Sequence, residues 1–314
     1  MTPGASECAR PLLIAGPTAA GKSAVALLAA ERLGGEIISV DSMQVYRGLD
    51  LGTAKPAPAE RARVPHHLID VVDLTQPFEV AQFLELARRI TQEIQARGRV
   101  PILCGGTGLY FKAYLEGLDP APASDPVLRA RLEATPLAEL LRELEVKDPQ
   151  TFAAIHRQNP RRVFRAVEIL RLTGQPLARP QAVEPQPEFL RDSVFVAFQR
   201  SPADLRARIE RRVEAMFRAG LVEETRRLLE QGLADNRTAL QAIGYRQVVE
   251  HLRGERTLEE TIELVKTRTR KFAKRQMTWF RLQATPIWIE LAENEDAEVS
   301  VEGILSRYSR SATV

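Results

Sequence analysis

Short apolar runs alternate with longer amphipathic segments along most of this chain. Six runs predict buried strands, and they lie at 12–15, 36–40, 67–72, 100–104, 193–198 and 286–291. Helical periodicity separates them, for example at 77–97, where Pro77 stands at the start and Gly98 lies just beyond the end. Strands that alternate with helices predict a mostly parallel sheet with helices on both faces. Ligands of such sheets collect at the carboxyl ends of the strands.

The alternation stops after Leu118. Two proline-rich linkers, 119–126 and 176–189, enclose a stretch with a purely helical pattern, and the chain returns to strand at Val194. We therefore predict an all-helical domain (119–193) inserted into an α/β core that is formed by 1–118 and 194–314.

The composition is that of an ordinary globular protein, with 314 residues, 44% hydrophobic and 27% charged. The two cysteines, Cys8 and Cys104, form no disulfide framework. No apolar run reaches membrane-spanning length and no signal-peptide pattern is present, so we expect the cytoplasm as its location. His66 and His67 are interpreted as structural, because neighbouring strand residues point to opposite faces and a metal site needs converging ligands.

The loop after the first apolar run fits a phosphate-binding pattern. The residues "GPTAAGKS" match G-x-x-x-x-G-K-[ST], and a helical pattern follows from Ala24 onward. Backbone amides of such a loop point at an anion, Lys22 adds a charge, and the Ser23 hydroxyl can bind Mg²⁺. The sequence therefore predicts a P-loop NTPase-like fold with a site for a diphosphate or triphosphate. It leaves open what is esterified to the phosphates.

Two further segments carry polar groups at predicted strand ends. Asp41 follows the run at 36–40, where a carboxylate close to the phosphates can act as a general base or as a metal ligand through water. Thr107, in "CGGTG", follows the run at 100–104 and supplies a hydroxyl. A turn or helix-capping role stays open for each of these two residues.

Basic side chains concentrate in helical segments. The net charge is only +3, yet 264–289 contains seven basic residues and no acidic one. The helix predicted there has four residues along one side, namely Val265, Phe272, Gln276 and Trp279, and is basic elsewhere. Arginines also cluster at 161–171 and 206–212. A polyanion fits this distribution, and a solvated helix face is the alternative.

Taken together, these motifs resemble one family, the tRNA dimethylallyltransferases (isopentenyl-tRNA transferases). The resemblance is carried, in family order, by "GPTAAGKS", "DSMQVYRGLDLGTAKP", "VPHHLID", "GGTGLYFKAYLEGL", "QNPRRVFRAVEI", "AIGYRQ" and "RTRKFAKRQMTWFR". The departures are small: Ser23 stands where many members have Thr, and Leu51 replaces a common Ile. No Cys/His cluster follows Arg281, so the bacterial type is expected.

The resemblance implies a reaction and its participants. A dimethylallyl group would pass from dimethylallyl diphosphate to the exocyclic N6 of the adenosine on the 3′ side of the tRNA anticodon, and diphosphate would be released. Mg²⁺ would be the cofactor. The partners would be dimethylallyl diphosphate and the anticodon stem-loop of tRNA, with no membrane, and the chain would act as a monomer.

The resemblance also implies a role for each matched residue. Asp41 would be the base, and Thr107 and Lys22 would complete the catalytic set. Ser23 would hold the metal. The diphosphate would bind Gly16, Pro17, Thr18, Ala19, Ala20, Gly21, Lys22, Ser23 and Arg208, the last chosen among the arginines at 206–212. The tRNA would contact Asp41, Ser42, Met43, Gln44, Thr107, Arg129, Gln158, Asn159, Pro160, Arg161, Arg162, Gln241, Ala242, Ile243, Gly244, Tyr245, Arg246, Lys274 and Arg275.

Other functions stay open at this point. In a P-loop kinase of a nucleoside or small metabolite, Ser23 would hold Mg²⁺-ATP and Asp41 would deprotonate an acceptor hydroxyl. A non-catalytic RNA-binding protein would use the loop only to anchor a phosphate. A related transferase could act on free adenine nucleotides, although the extent of basic helix favours RNA.

Overall fold

One parallel sheet forms the centre of the protein. The computed structural model describes residues 9–118, 121–176, 187–190, 192–293 and 295–310. Their strands are β1 (Leu12–Ala15), β2 (Glu36–Val40), β3 (His66–His67), β4 (Pro101–Gly105), β5 (Val194–Gln199) and β6 (Ile287–Glu290). They lie in the order β3-β2-β4-β1-β5-β6, and every neighbouring pair is parallel. The predicted α/β class with a parallel sheet is confirmed.

The chain divides into two compact units. We call Met1–Gly117 with Pro185–Val314 the core unit, and Leu118–Glu184 the helical unit. The core unit contains α1 (Lys22–Leu33), α2 (Pro58–Arg63), α3 (Val80–Ala96), α4 (Gly108–Glu116), α9 (Pro202–Arg218), α10 (Leu221–Glu230), α11 (Tyr245–Leu252), α12 (Leu258–Gln283) and α13 (Ala297–Arg310). The helical unit contains α5 (Pro126–Ala134), α6 (Leu137–Lys147), α7 (Pro149–Ala154) and α8 (Pro160–Thr173). Parts of the predicted linkers, at 119–120 and 177–186, lie outside the described residues.

Helices cover both faces of the sheet because its strand residues are apolar on both sides. Leu13 and Ala15 of β1 enter a core with residues of α3, α4, α10 and α11. Leu12 and Ile14 enter a second core with residues of α1 and α13. Alternation along a strand sends successive side chains to opposite faces, so one continuous apolar run serves both cores.

The helical unit has an apolar core of its own. Its fully buried residues include Leu132 of α5, Leu140 and Leu144 of α6, and Val163 and Val167 of α8. The spacing of three or four residues within each helix places these side chains on one face. Between 121 and 176 the described chain forms helices without a strand, as the sequence predicts.

The predicted strand at 67–72 is wrong beyond its first residue. Only His66 and His67 pair with β2, and then Leu68 and Asp70 adopt left-handed backbone angles, with φ of 59° and 56°. A strand cannot continue through such angles, so the chain turns away from the sheet. Val72 makes only an isolated parallel bridge to Tyr46. An apolar run alone does not distinguish a strand from a buried loop.

No helix in the described part of the chain combines the length and apolar character that a membrane crossing needs.

Candidate functional site

The predicted phosphate loop joins β1 to α1 at the carboxyl edge of the sheet. Its backbone needs unusual angles, since φ is 145° at Gly16 and 99° at Gly21. A Cβ atom at Gly16 would lie 3.0 Å from the carbonyl oxygen of Phe198. The helix begins at Lys22, slightly before the predicted Ala24. The strand, loop and helix that the pattern requires are all present.

Three cationic side chains bind carbonyl oxygens of this loop, one from the loop itself and two from the distant segment 200–208. The Lys22 ammonium donates to Pro17 at 2.7 Å. Arg208 Nε donates to Ala19 at 2.9 Å, and Arg200 Nε donates to Ala20 at 2.8 Å. The Thr18 amide donates to a side chain and the Ala20 amide donates to the Pro17 carbonyl, so the remaining amides of the loop are the ones that can face an anion.

A cavity of about 540 Å³ opens beside the loop. Five basic residues, Lys22, Lys55, Arg208, Arg211 and Arg212, and one acidic residue, Glu60, line it. The buried Lys55 ammonium is paired with Asp50 and Asp70, so the positive excess comes from the other four. The Ser23 hydroxyl lies on the same wall. A pocket with this excess of positive charge suits a polyvalent anion such as a diphosphate.

Lys22 is held in a partly dehydrated position. The pKa of its ammonium is lowered to about 8, mainly by removal from water and in smaller part by Arg212, whereas Cys104 and Asp41 oppose the shift. An anion in the cavity would favour the charged form. The lysine is therefore a group whose charge depends on occupancy of the pocket.

The structure distinguishes the arginines of 206–212. Arg206 pairs with Glu210 at an exposed position, while Arg208, the arginine predicted to bind the diphosphate, lies in the cavity wall. Arg212 was not predicted, although it lies in the same wall and is close enough to Asp41 for that carboxylate to affect its pKa. Burial lowers the pKa of Arg212, and it has no hydrogen-bond partner among the described residues. Residues 208 and 212 are four apart, which places them on one face of a helix. This spacing could have been used to predict both arginines as site residues.

Asp41 and Thr107 meet where β2 and β4 end. Asp41 Oδ1 accepts hydrogen bonds from the amides of Met43 at 2.8 Å and Gln44 at 3.2 Å. Its Oδ2 has no partner in the described chain. Thr107 holds the N-cap position of α4, but its side chain makes no capping bond, and its Oγ1 accepts from the Ser42 amide at 3.2 Å. The arrangement leaves one carboxylate oxygen beside a hydroxyl at the edge that the phosphate loop also occupies.

Gln44 orders this loop from within. Its side-chain oxygen accepts from Ser39 at 2.8 Å, and its nitrogen donates to the carbonyls of Thr53 and Ala54 at 3.1 and 3.3 Å. These bonds tie 53–54 to the end of β2, and the contact of Gln44 with RNA stays a prediction. Ala54 itself lines the cavity.

The segment 241–246, which is predicted to contact tRNA, is only partly exposed. Gln241 and Arg246 are exposed, whereas Ala242 and Tyr245 are buried and Ile243 packs against α9 and α12. The Tyr245 hydroxyl donates to Glu224 at 2.6 Å and accepts from the Gly52 amide at 3.1 Å. A side-chain contact of Tyr245 with RNA is therefore wrong, because the ring is in the core. Burial raises the pKa of Glu224 in this network.

Helix α12 presents a basic outer face. Arg268, Lys271, Lys274 and Arg275 are exposed, while Lys266 pairs with Glu214 and Glu263, and Arg270 pairs with Glu210. Val265 and Gln276 face inward as predicted. Phe272 does not: it is 36% exposed, and Arg275 stacks over its ring at 5.7 Å.

Some of the residues predicted to contact RNA in the helical unit are exposed, and one is paired inside the unit. Gln158, Pro160, Arg161 and Arg162 are exposed at the start of α8, where Asn159 caps the helix. Arg129 instead pairs with Glu168, a fully buried carboxylate that also binds Arg165. Burial alone would raise the pKa of Glu168, but hydrogen bonds from Arg129, Arg165 and Ser124 hold it at about 2. Arg129 therefore has a structural role in this unit.

Comparisons of sequence agree with one another. A family model described as IPP transferase matches residues 44–283. The chain is 46% identical over 289 residues to tRNA dimethylallyltransferase 1 of Trichlorobacter lovleyi, with 91% of this chain and 95% of that protein covered. It is 47% identical over 283 residues to tRNA dimethylallyltransferase of Salinispora tropica, with 89% and 88% covered.

Two solved structures of transferases are also similar to this chain in fold and sequence. The tRNA isopentenylpyrophosphate transferase of Bacillus halodurans has a TM-score of 0.71 and 38% identity, over 96% of this chain and 98% of that one. A eukaryotic dimethylallyltransferase acting on tRNA has a TM-score of 0.80 and 26% identity, over 95% and 80%.

The lowered pKa of Lys22 predicts a pH-dependent anion site. Affinity for inorganic pyrophosphate should fall as the pH rises through about 8, by up to about tenfold per pH unit, because the free lysine loses its proton there. Lys22→Arg should lack this fall, since its guanidinium stays protonated. Calorimetric titration of both proteins between about pH 7 and pH 9 measures the difference, and pyrophosphate's own ionisation is common to both. Parallel profiles would contradict the prediction.

Proposed function

Since this chain belongs to the IPP transferase family, we propose that it is a tRNA dimethylallyltransferase. It transfers the dimethylallyl group of dimethylallyl diphosphate to the exocyclic N6 of the adenosine on the 3′ side of the anticodon and releases diphosphate. We propose that it acts as a monomer in the cytoplasm, where it meets the anticodon stem-loop of tRNA. We call the phosphate loop (16–23) and the cationic cavity wall beside it the phosphate cradle. The observation that carries this proposal is that the cradle lies close to Asp41, whose Oδ2 has no partner among the described residues.

The cradle suits a leaving group better than a transferred phosphate. The amine attacks carbon, so the C–O bond to the diphosphate breaks while a C–N bond forms, and both phosphoryl groups leave together. Negative charge then develops on the diphosphate oxygens. Preorganised donors at that position stabilise the transition state most, and Lys22, Arg208 and Arg212 are placed in the cavity wall to do so.

Mg²⁺ fits the cavity because the groups available to it are oxygens. The Ser23 hydroxyl lies in the wall, and diphosphate oxygens would complete a coordination shell of the hard type that Mg²⁺ prefers. When bound, Mg²⁺ neutralises charge on the leaving diphosphate.

We propose that Asp41 receives the proton of the attacking amine. Its Oδ1 is occupied by two backbone amides, which fix the carboxylate, and Oδ2 remains for the substrate. We propose that Thr107 contacts the reacting region from the adjacent strand end. Ser42 and Met43 belong to the same loop and would border the base.

The target base must leave its stack to reach this edge. Base extrusion costs a few kcal/mol, and contacts with the phosphate backbone offset that cost. We propose that Lys274 and Arg275 on α12, Arg246 and Gln241 on the core unit, and residues 158–162 of the helical unit supply these contacts. Their side chains or helix ends are exposed to an incoming polyanion.

A P-loop kinase, the main alternative, is not favoured, because the family match and the curated relatives belong to enzymes that modify tRNA.

The reaction can be tested directly. We expect that protein incubated with Mg²⁺, unmodified tRNA and dimethylallyl diphosphate adds an isoprenoid mass to the tRNA, as measured by mass spectrometry of nucleosides. ATP in place of the diphosphate should give no product. ATP turnover without isoprenoid transfer would instead support the kinase, and tRNA binding with neither reaction would support a binding protein.

Replacement of Asp41 tests the base. Asp41→Asn keeps the oxygen that accepts the Met43 and Gln44 amides but cannot take a proton, so turnover should fall by about 10² or more while the Kd for tRNA is retained. Asp73→Asn, which alters only an exposed pair with Arg47, is the control and should stay active. Wild-type turnover by Asp41→Asn would remove Asp41 from the role of base.

The basic face of α12 can be tested by salt dependence. Lys274→Gln with Arg275→Gln should weaken tRNA binding and reduce the slope of log K against log salt by about 1 to 2. Arg89→Gln with Arg226→Gln removes the same charge from other exposed positions and should leave the slope in place. An unchanged slope in the first variant would mean that this face of α12 does not touch RNA.

A further inference from the structure

A single buried side chain connects two loops of the candidate site. Gln276 of α12 is 8% exposed. Its Oε1 accepts a hydrogen bond from the Thr18 amide of the phosphate loop at 2.8 Å, and its Nε2 donates to the Gly106 carbonyl of the glycine-rich loop at 2.9 Å. The two loops follow β1 and β4, which are neighbours in the sheet.

The orientation of this amide is determined by its partners. A backbone amide can only donate and a backbone carbonyl can only accept, so the oxygen of Gln276 must face Thr18 and its nitrogen must face Gly106. Among side chains of this length, glutamine offers an acceptor and a donor at one end without having to bind a proton, which a carboxylate would need. The position therefore demands glutamine for chemical reasons and not only for volume.

The space around Gly106 supports the same conclusion. A Cβ atom there would lie 2.3 Å from Gln276 Nε2 and 3.3 Å from the carbonyl oxygen of Gly16. Any side chain at 106 would displace the glutamine from its bond. The glycine allows the two loops and the amide between them to approach this closely.

Gln276 is bonded to the two loops that hold the candidate site residues. Thr18 lies between Pro17, which Lys22 binds, and Ala19, which Arg208 binds. Gly106 directly precedes Thr107, whose hydroxyl is bonded to the Asp41 loop. Gln276 is not among the residues that line the cavity, so it would act through these loops.

We infer that Gln276 is a positioning residue for the donor: it sets the phosphate loop and the Thr107 loop at the spacing that dimethylallyl diphosphate requires. This inference rests on the proposed function for the identity of the donor. The bonds themselves hold the anion cradle whichever molecule carries the diphosphate.

Gln276→Met tests this role, because methionine keeps the length of the side chain and removes both hydrogen bonds. We expect the Kd for inorganic pyrophosphate and the KM for dimethylallyl diphosphate to rise about tenfold, which corresponds to the loss of about two hydrogen bonds of ordinary strength. The Kd for tRNA should stay within about twofold. Gln276→Glu keeps the acceptor but brings a negative charge, so it should weaken pyrophosphate binding at least as much.

Gln95→Met is a matched control. Gln95 is also 8% exposed and also makes two hydrogen bonds to the backbone, although both are donated by its Nε2, to the carbonyls of Ala9 and Phe189, away from the cavity. It should lower the melting temperature without changing the Kd for pyrophosphate.

The two hypotheses fail in different ways. Wild-type pyrophosphate affinity in both Gln276 variants would overturn the positioning role, even where prenyl transfer is observed. Absence of prenyl transfer by the wild-type protein would overturn the proposed function, while the pyrophosphate titration would still report on Gln276. If Gln276→Met does not fold, Gln276→Glu decides the question by the same titration.

Discussion

The conformation of the phosphate loop is the constraint on which the site depends. A loop that turns its amides toward an anion must turn carbonyl oxygens the other way, and buried carbonyl oxygens need donors. Here the donors are cations: Lys22 binds Pro17, Arg208 binds Ala19 and Arg200 binds Ala20. Two of these three cations, Lys22 and Arg208, also line the cavity and contribute to its positive charge.

The use of cations to bind the loop carbonyls has an electrostatic consequence. Several cations are held close together, and removal from water lowers the pKa of Lys22 and of Arg212. Arg200 is stabilised by a nearly buried pair with Asp204, with both side chains only 3% exposed. Lys22 and Arg212 have no comparable partner among the described acids, and Asp41 acts on them only at longer range. A diphosphate would supply negative charge beside both cations.

Helix α12 shows how one element can serve two purposes. Its inward side packs Val265 and Phe280 into the cores and places Gln276 between two loops of the site. Its outward side carries exposed lysines and arginines, and only part of its basic charge is paired with acids of α9. The same helix thus carries a basic surface suited to a polyanion and a side chain that is bonded to the phosphate loop.

The pattern of the sequence alone determined the α/β class, the phosphate loop and the placement of Asp41 and Thr107 at strand ends, because each depends on residues that are close in the chain. Tertiary structure decided the rest. It ended the strand at His67, buried Tyr245 against Glu224, paired Arg129 with Glu168, and brought Arg212 and Gln276 to the site. Periodicity reveals which face of a helix is apolar, but not which partner meets a polar group on it. The bond from Gln276 to Thr18 spans 258 residues, and only packing of the whole core unit sets such a distance.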